Sequence, residues 1–232
     1  MADTVPQVKS TKRERMAWYL YDFGNSAYAS VVLLAVYSTY FKNQVVGGAE
    51  GSRLWGLSIS VAMILVAIAA PIMGAIADYS GAKKKFLFFF TALSVVFTAL
   101  LFFTQKGTTA TAILFFLLSE LGYRAAQVFY DALLPEIAAP EETGRIAGTG
   151  WAIGSAGGIV ILLLFLPPIL MSKSDLLVVR STLIVTAIFF ALASIPIFRW
   201  LKERAQPQAL PAGENYISIA FKQLSGSIKA AR

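Results

Sequence analysis

Long runs of apolar residues separated by short polar stretches dominate this chain. Six of them have roughly the 20 residues a helix needs to cross a bilayer: Ala17 to Phe41, Leu54 to Ala77, Phe86 to Thr104, Ala110 to Leu133, Ile146 to Leu166 and Leu176 to Leu201. The pattern predicts an all-α membrane protein with six transmembrane helices in one bundle over residues 17–201. A basic tail, 1–16, precedes the bundle and a linker with an amphipathic segment, 202–232, follows it. Gly47-Gly48, Ser80-Gly81 and Lys106-Gly107 supply turn chemistry between helices. Pro167-Pro168 should end or kink the fifth helix at its outer end.

Composition sharpens this. Of 232 residues, 57% are hydrophobic and 14% charged, more apolar than a water-facing domain can bury. There is no cysteine and no histidine, which excludes disulfides, thiol chemistry and Cys/His metal sites. No cofactor or metal is implied. A membrane enzyme has little to work with, since no nucleophile and base cluster together.

The net charge of +7 raises nucleic acid as a partner, but the positions of the charges answer it. With the N-terminus in the cytoplasm, 14 of the Lys and Arg residues fall on the inner side and 5 on the outer, with Arg124 inside the membrane. That bias predicts both termini in the cytoplasm, and it accounts for the basicity without nucleic acid. The first apolar run is too long for a cleaved signal peptide and is expected to remain as a span.

An ionisable residue at mid-bilayer is costly and needs a partner or a watery cavity. Two helices carry nearly all of them. Helix 4 holds Glu120, Arg124, Gln127 and Asp131, spaced so that all four share one face. Helix 1 places Asp22 and Asn25 on one face, with Ser26 and Tyr28 beside them. Glu120 and Arg124 read either as a self-neutralising i,i+4 pair or as part of a coupling path. Asp22 and Asn25 read either as interhelical packing or as cavity lining. Their concentration on two helices favours a water-accessible path between helices 1 and 4, with Tyr123 offering aromatic and hydroxyl contacts. Gly150, Gly154 and Gly158 on helix 5 repeat every four residues, a groove for a neighbouring backbone in either static or sliding contact.

Helix 2 ends in Gly74, Asp78 and Gly81, followed by Lys83, Lys84 and Lys85. A carboxylate at a helix C-terminus opposes the macrodipole, so cations or the positive N-terminus of another helix should compensate Asp78, and Lys83 to Lys85 are near enough in sequence to help. This glycine, aspartate, glycine and basic-pair spacing resembles the signature loop of the major facilitator superfamily, with Tyr79 where a basic residue is usual. Trp18 to Tyr28, Phe129 to Ala138 and Gly154 to Gly158 are similar to the vacuole-effluxer, autophagy-related branch of that superfamily and its prokaryotic relatives.

The resemblance implies secondary active transport by alternating access, with each six-helix half built from two inverted three-helix repeats and helices 1 and 4 lining the cavity. Carried over by position, Asp22, Asn25, Tyr28, Glu120, Tyr123, Arg124, Gln127 and Asp131 become contacts for solute or protons. Gly74, Asp78, Gly81, Lys83 and Lys84 become a cytoplasmic gate. Neutral amino acids leaving a compartment are the implied cargo, and a prokaryotic cell membrane is the implied location. A superfamily transporter has about twelve spans, whereas six are read here. The chain is therefore expected to be half of a longer transporter; a half that pairs with itself or a second chain, and a non-transporting subunit or scaffold, are the alternatives. In the tail, Ile217, Phe221, Leu224 and Ile228 share one helical face, which predicts a helix lying on the inner membrane surface.

Overall fold

The computed structural model describes residues 10–173, 175–211, 213, 215, 216 and 218–220. The tail helix expected around Phe221, Leu224 and Ile228 lies outside them. All regular elements among the described residues are helical. The first, α1 (Lys12–Tyr28), starts at a capping box, in which Thr11 accepts from the Glu14 N–H and the Glu14 carboxylate accepts from the Thr11 N–H at 2.8 Å. It continues through π-helical turns at Ala29–Ala35, a short α-helical turn at Tyr37–Tyr40 and a second π segment at Phe41–Val46. Then come α2 (Gly48–Ser80), α3 (Lys83–Leu100), a 3-10 turn at Leu101–Phe103, α4 (Thr109–Ala132), α5 (Pro140–Met171) and α6 (Leu176–Trp200).

Among the described residues, five stretches are long and apolar enough to cross a membrane: Gly48–Ser80, Lys83–Phe103, Thr109–Glu136, Pro140–Met171 and Leu176–Trp200. The first apolar run departs from the uninterrupted helix expected over Ala17 to Phe41. Its buried stripe passes through Tyr28, Val32, Tyr37, Phe41 and Val45, and the longer step from Val32 to Tyr37 outruns an α-helical turn. Wider i→i+5 turns keep that stripe facing the core.

Three other boundaries move. α2 begins at Gly48 rather than Leu54, because the turn sits at Gly47 (φ 91°) and a Glu50–Arg53 ion pair stabilises a polar first turn. α5 begins at Pro140, a residue suited to the first helical position, with Glu141 and Glu142 facing the positive end of the dipole. It then runs through Pro167-Pro168 to Met171 instead of stopping there. Proline φ is helix-compatible, and the N–H groups of Ile169 to Met171 find carbonyls one turn back, so the two missing donors cost bonds without ending the helix.

In the bundle, α1 packs against α5 and α6, α4 packs against α2 and α3, and α3 meets α6. Small residues set the crossings. A Cβ on Gly24 would lie 2.6 Å from the Ala193 Cβ on α6, and one on Gly122 would lie 2.6 Å from the Ser94 nitrogen on α3. A Cβ on Gly157 would run into the carbonyl oxygen of Phe23, a backbone atom that cannot rotate away. Gly157→Ala is therefore expected to lower stability by about 1–3 kcal/mol through overpacking. Gly148→Ala, where the added carbon meets open space, should be neutral or stabilising. Thermal unfolding of the two variants in micelles checks the contrast.

Many large apolar side chains, among them Leu57, Ile64, Ile68, Leu163 and Leu192, are exposed on the outside of the bundle. Tyr21, Tyr28, Asn25, Ser119 and Glu120 turn inward, the arrangement of a bundle whose solvent is lipid.

Candidate functional site

The polar stripes of α1 and α4 meet along a ladder of aromatic and amide contacts. At one end the Trp18 and Tyr130 rings stack at 4.4 Å, the Trp18 indole N–H donates to the Tyr130 carbonyl at 3.2 Å, and the Tyr130 hydroxyl donates to the Trp18 carbonyl at 3.3 Å. Tyr21 stacks on the same tyrosine at 5.0 Å and shares a 2.8 Å hydrogen bond with Thr91 of α3. One turn further, the Asn25 amide donates to Gln127 Oε1 at 2.7 Å. Next, Tyr28 stacks on Tyr123 at 4.6 Å and its hydroxyl shares a 3.0 Å hydrogen bond with Ser119.

The ion pair sits beside this ladder. Arg124 Nε donates to Glu120 Oε1 at 2.9 Å, and its guanidinium lies 5.2 Å from the Tyr123 ring centre. The Glu120 side chain is 0% exposed, that of Arg124 35%. The buried carboxylate is thus held from one side by a cation that opens outward. Two buried acceptors in this cluster have no hydrogen-bond partner, Glu120 Oε2 and Asn25 Oδ1. Buried polar atoms are ordinarily satisfied; the hydroxyls of Tyr37, Ser94 and Thr98, elsewhere in the bundle, are also without a partner.

The structure thus brings six of the eight proposed path residues together: Asn25, Tyr28, Glu120, Tyr123, Arg124 and Gln127. The other two adjoin them: Asp22 hydrogen-bonds with Asn25 and lies close enough to Asp131 for the two charges to interact. Asp22 faces α5, where its carboxylate occupies the space a side chain at Gly154 would need. Asp131 is exposed at the far end of α4. The glycine stripe is where α1 seats on α5: side chains at Gly150 and Gly158 would meet the Trp18 ring and the Ser30 hydroxyl.

The loop between α2 and α3 is organised otherwise than its charges suggest. Gly81 has φ 57°, and Pro207 packs where its Cβ would be. Gly74 has open space around it and Asp78 is exposed. Lys83 and Lys84 do not turn to Asp78 as expected. The Lys83 ammonium pairs with Glu136 at 2.7 Å, both side chains largely buried. Lys84 donates to the carbonyls of Phe198 and Leu201 at 3.0 and 2.6 Å, satisfying groups that the end of α6 leaves free. A buried carboxylate and a set of helix-end carbonyls hold these two lysines.

Three glutamates overlooked in the sequence fasten the segment after α6. Glu203 accepts from the backbone N–H groups of Lys83 and Lys84 at 2.5 and 3.2 Å, at the positive end of α3. Glu136 accepts from the N–H groups of Arg204 and Ala205 at 2.8 and 3.1 Å. Glu14 pairs with Arg204 at 2.9 Å and accepts from the Lys202 N–H at 3.1 Å. Burial pushes the Glu14 carboxyl upward, but hydrogen bonds from Thr11, Lys202 and Arg204 outweigh it and hold its pKa below the ordinary glutamate value. The available signal was Glu136 following Pro135 at the end of an apolar helix, a place where a charge is seldom left unpaired.

These features define an all-helical, multi-pass membrane protein with a polar site between two of its helices. The chain belongs to the vacuole effluxer Atg22 like family, which matches residues 54–145 and 139–232, a family of effluxer-like proteins rather than enzymes. It is also similar to the uncharacterized MFS-type transporter YxiO of Bacillus subtilis (strain 168), with 30% identity over 232 residues, 96% of this chain and 53% of that protein. The chain thus spans about half the length of this curated relative. No solved structure matches it.

Proposed function

We propose that this chain forms the first half of a secondary active transporter that moves a small zwitterionic solute, with neutral amino acids the foremost class, by alternating access. The observation that carries the reading is the cluster around Glu120. An outward-opening guanidinium, Arg124, offers a fork for a carboxylate. The unpartnered Glu120 Oε2 and Asn25 Oδ1 offer acceptors for an ammonium group. Together they complement an amino acid, and Glu120 can also take up a coupling proton.

The packing supports the architecture this requires. α1 meets the second and third helices of the later triplet, α4 meets the second and third of the earlier one, and α3 meets α6. That reciprocity is what two inverted three-helix repeats produce. On this reading the apolar run from Ala17 to Phe41 is the sixth span. Both ends of the bundle's chain then lie in the cytoplasm with the lysines of the loop between α2 and α3. Gly74, Asp78, Gly81, Lys83 and Lys84 then sit at the cytoplasmic gate, and a second six-helix half covers the open face.

Binding of radiolabelled neutral amino acids to the purified chain in micelles tests the site. Saturable binding is expected for at least one of them, reduced at least tenfold by Arg124→Gln. Binding unchanged by Arg124→Gln, or no saturable binding across the panel, would remove the proposal.

A further inference from the structure

The end of the bundle opposite Lys83 carries a second built feature. A polar cavity of about 220 Å³ lies between the end of the α1 run, the turn joining α3 to α4 and the start of α6. Its walls include Gln44, Gln105, Lys106 and Arg180. Among the described residues neither cation is in an ion pair. The acid nearest in sequence to Arg180, Asp175, is occupied capping α6 through the Leu177 N–H at 2.7 Å.

This basic corner is held in place. The Arg180 guanidinium lies 5.4 Å from the Phe102 ring centre and donates to the Leu176 and Phe102 carbonyls at 3.3 and 3.5 Å. The neighbouring Tyr40 hydroxyl donates to the Thr104 carbonyl at 2.7 Å. The donors recorded for Arg180 leave its second terminal nitrogen, Nη2, available to a ligand.

The corner opens into an apolar groove. The polar cavity shares Tyr40, Gln44 and Leu176 with a second space of about 220 Å³. That space shares Ala35, Val36 and Ile169 with a third, of about 420 Å³, walled almost wholly by apolar side chains of α5 and the first π segment. Two cations at this end of the bundle thus continue directly into an apolar groove along the outer surface of α5 and the α1 run. A free phosphate would use the corner alone. Only a molecule with an anionic head and an apolar tail uses both, and a guanidinium with a free terminal nitrogen suits a phosphate head.

We propose that this groove binds one anionic phospholipid, its phosphate on Arg180 and Lys106 and an acyl chain along Val36 and Ile169. Native mass spectrometry of the 232-residue chain, titrated with phosphatidylglycerol or phosphatidylcholine of matched chains, tests it. One phosphatidylglycerol should be retained about 25-fold more tightly, with about fivefold lost per cation removed. Lys106→Gln, at an exposed position, should thus cost about fivefold, Lys106→Gln with Arg180→Gln should erase the preference, and Arg180→Lys should keep most of it. Excess soluble glycerol phosphate should leave the lipid bound. Equal retention of both lipids, a preference that survives the double substitution, displacement by glycerol phosphate, or a dimer forming at the expense of lipid would each overturn the proposal.

Discussion

Arg124→Met is expected to destabilise the chain by about 3–5 kcal/mol, the usual cost of stranding one member of a buried ion pair. The cause is Glu120, whose side chain is fully buried and has one oxygen without a partner even when Arg124 is present. Without the guanidinium, the carboxylate must either remain charged in an apolar site or take up a proton. Glu120→Gln combined with Arg124→Met removes both charges and should recover most of the loss, since a buried pair contributes little net stability against a neutral replacement. Unfolding of the single and double variants in micelles measures the coupling. If the single variant is as stable as the double, the pair does not hold this part of the bundle together.

Glu136→Ala should cost a similar amount for a different reason. Its carboxylate satisfies the buried Lys83 ammonium and two backbone N–H groups of the segment after α6. Removing it strands a charge and two donors together. The segment from Leu201 to Pro207, which crosses the loop at Gly81, should then detach. Proteolysis between Leu201 and Pro207 should accelerate in step with the loss of stability. Lys84→Met, which removes only bonds to the carbonyls at the end of α6, should cost about 1 kcal/mol. Equal effects of the two substitutions would mean that the buried pair is not what fastens the segment.

The helices and the site residues were legible in the sequence to different degrees. Long apolar runs reveal a membrane bundle because the bilayer imposes the length of each helix. The stripe from Glu120 to Gln127 was readable because helical spacing fixes which residues share a face, and its meeting with Asn25 and Tyr28 needed only the inference that buried charges gather. Asp22 and Asp131 fell on the same stripes and their charges interact across the two helices, but the rotation of α1 also seats Asp22 against Gly154. That rotation is set by packing, including the seat of α1 against Gly154, and no spacing rule encodes it. The π turns after Tyr28 were hidden for the same reason, since they realign a buried stripe with partners far away in sequence. The partners of Lys83 and Lys84 could not be read because Glu136 and Glu203 lie 53 and about 120 residues further along the chain.

The cluster of Arg124, Glu120 and Asn25 is the proposed seat of the transported solute. Its most direct test is counterflow of radiolabelled neutral amino acids into proteoliposomes containing this chain together with the second half of the Bacillus relative. Saturable exchange is expected with the unaltered chain, and at least a hundredfold loss with Glu120→Gln plus Arg124→Gln in protein that remains folded and inserted. Exchange that persists in the double variant, or no exchange with the unaltered chain, would contradict the account.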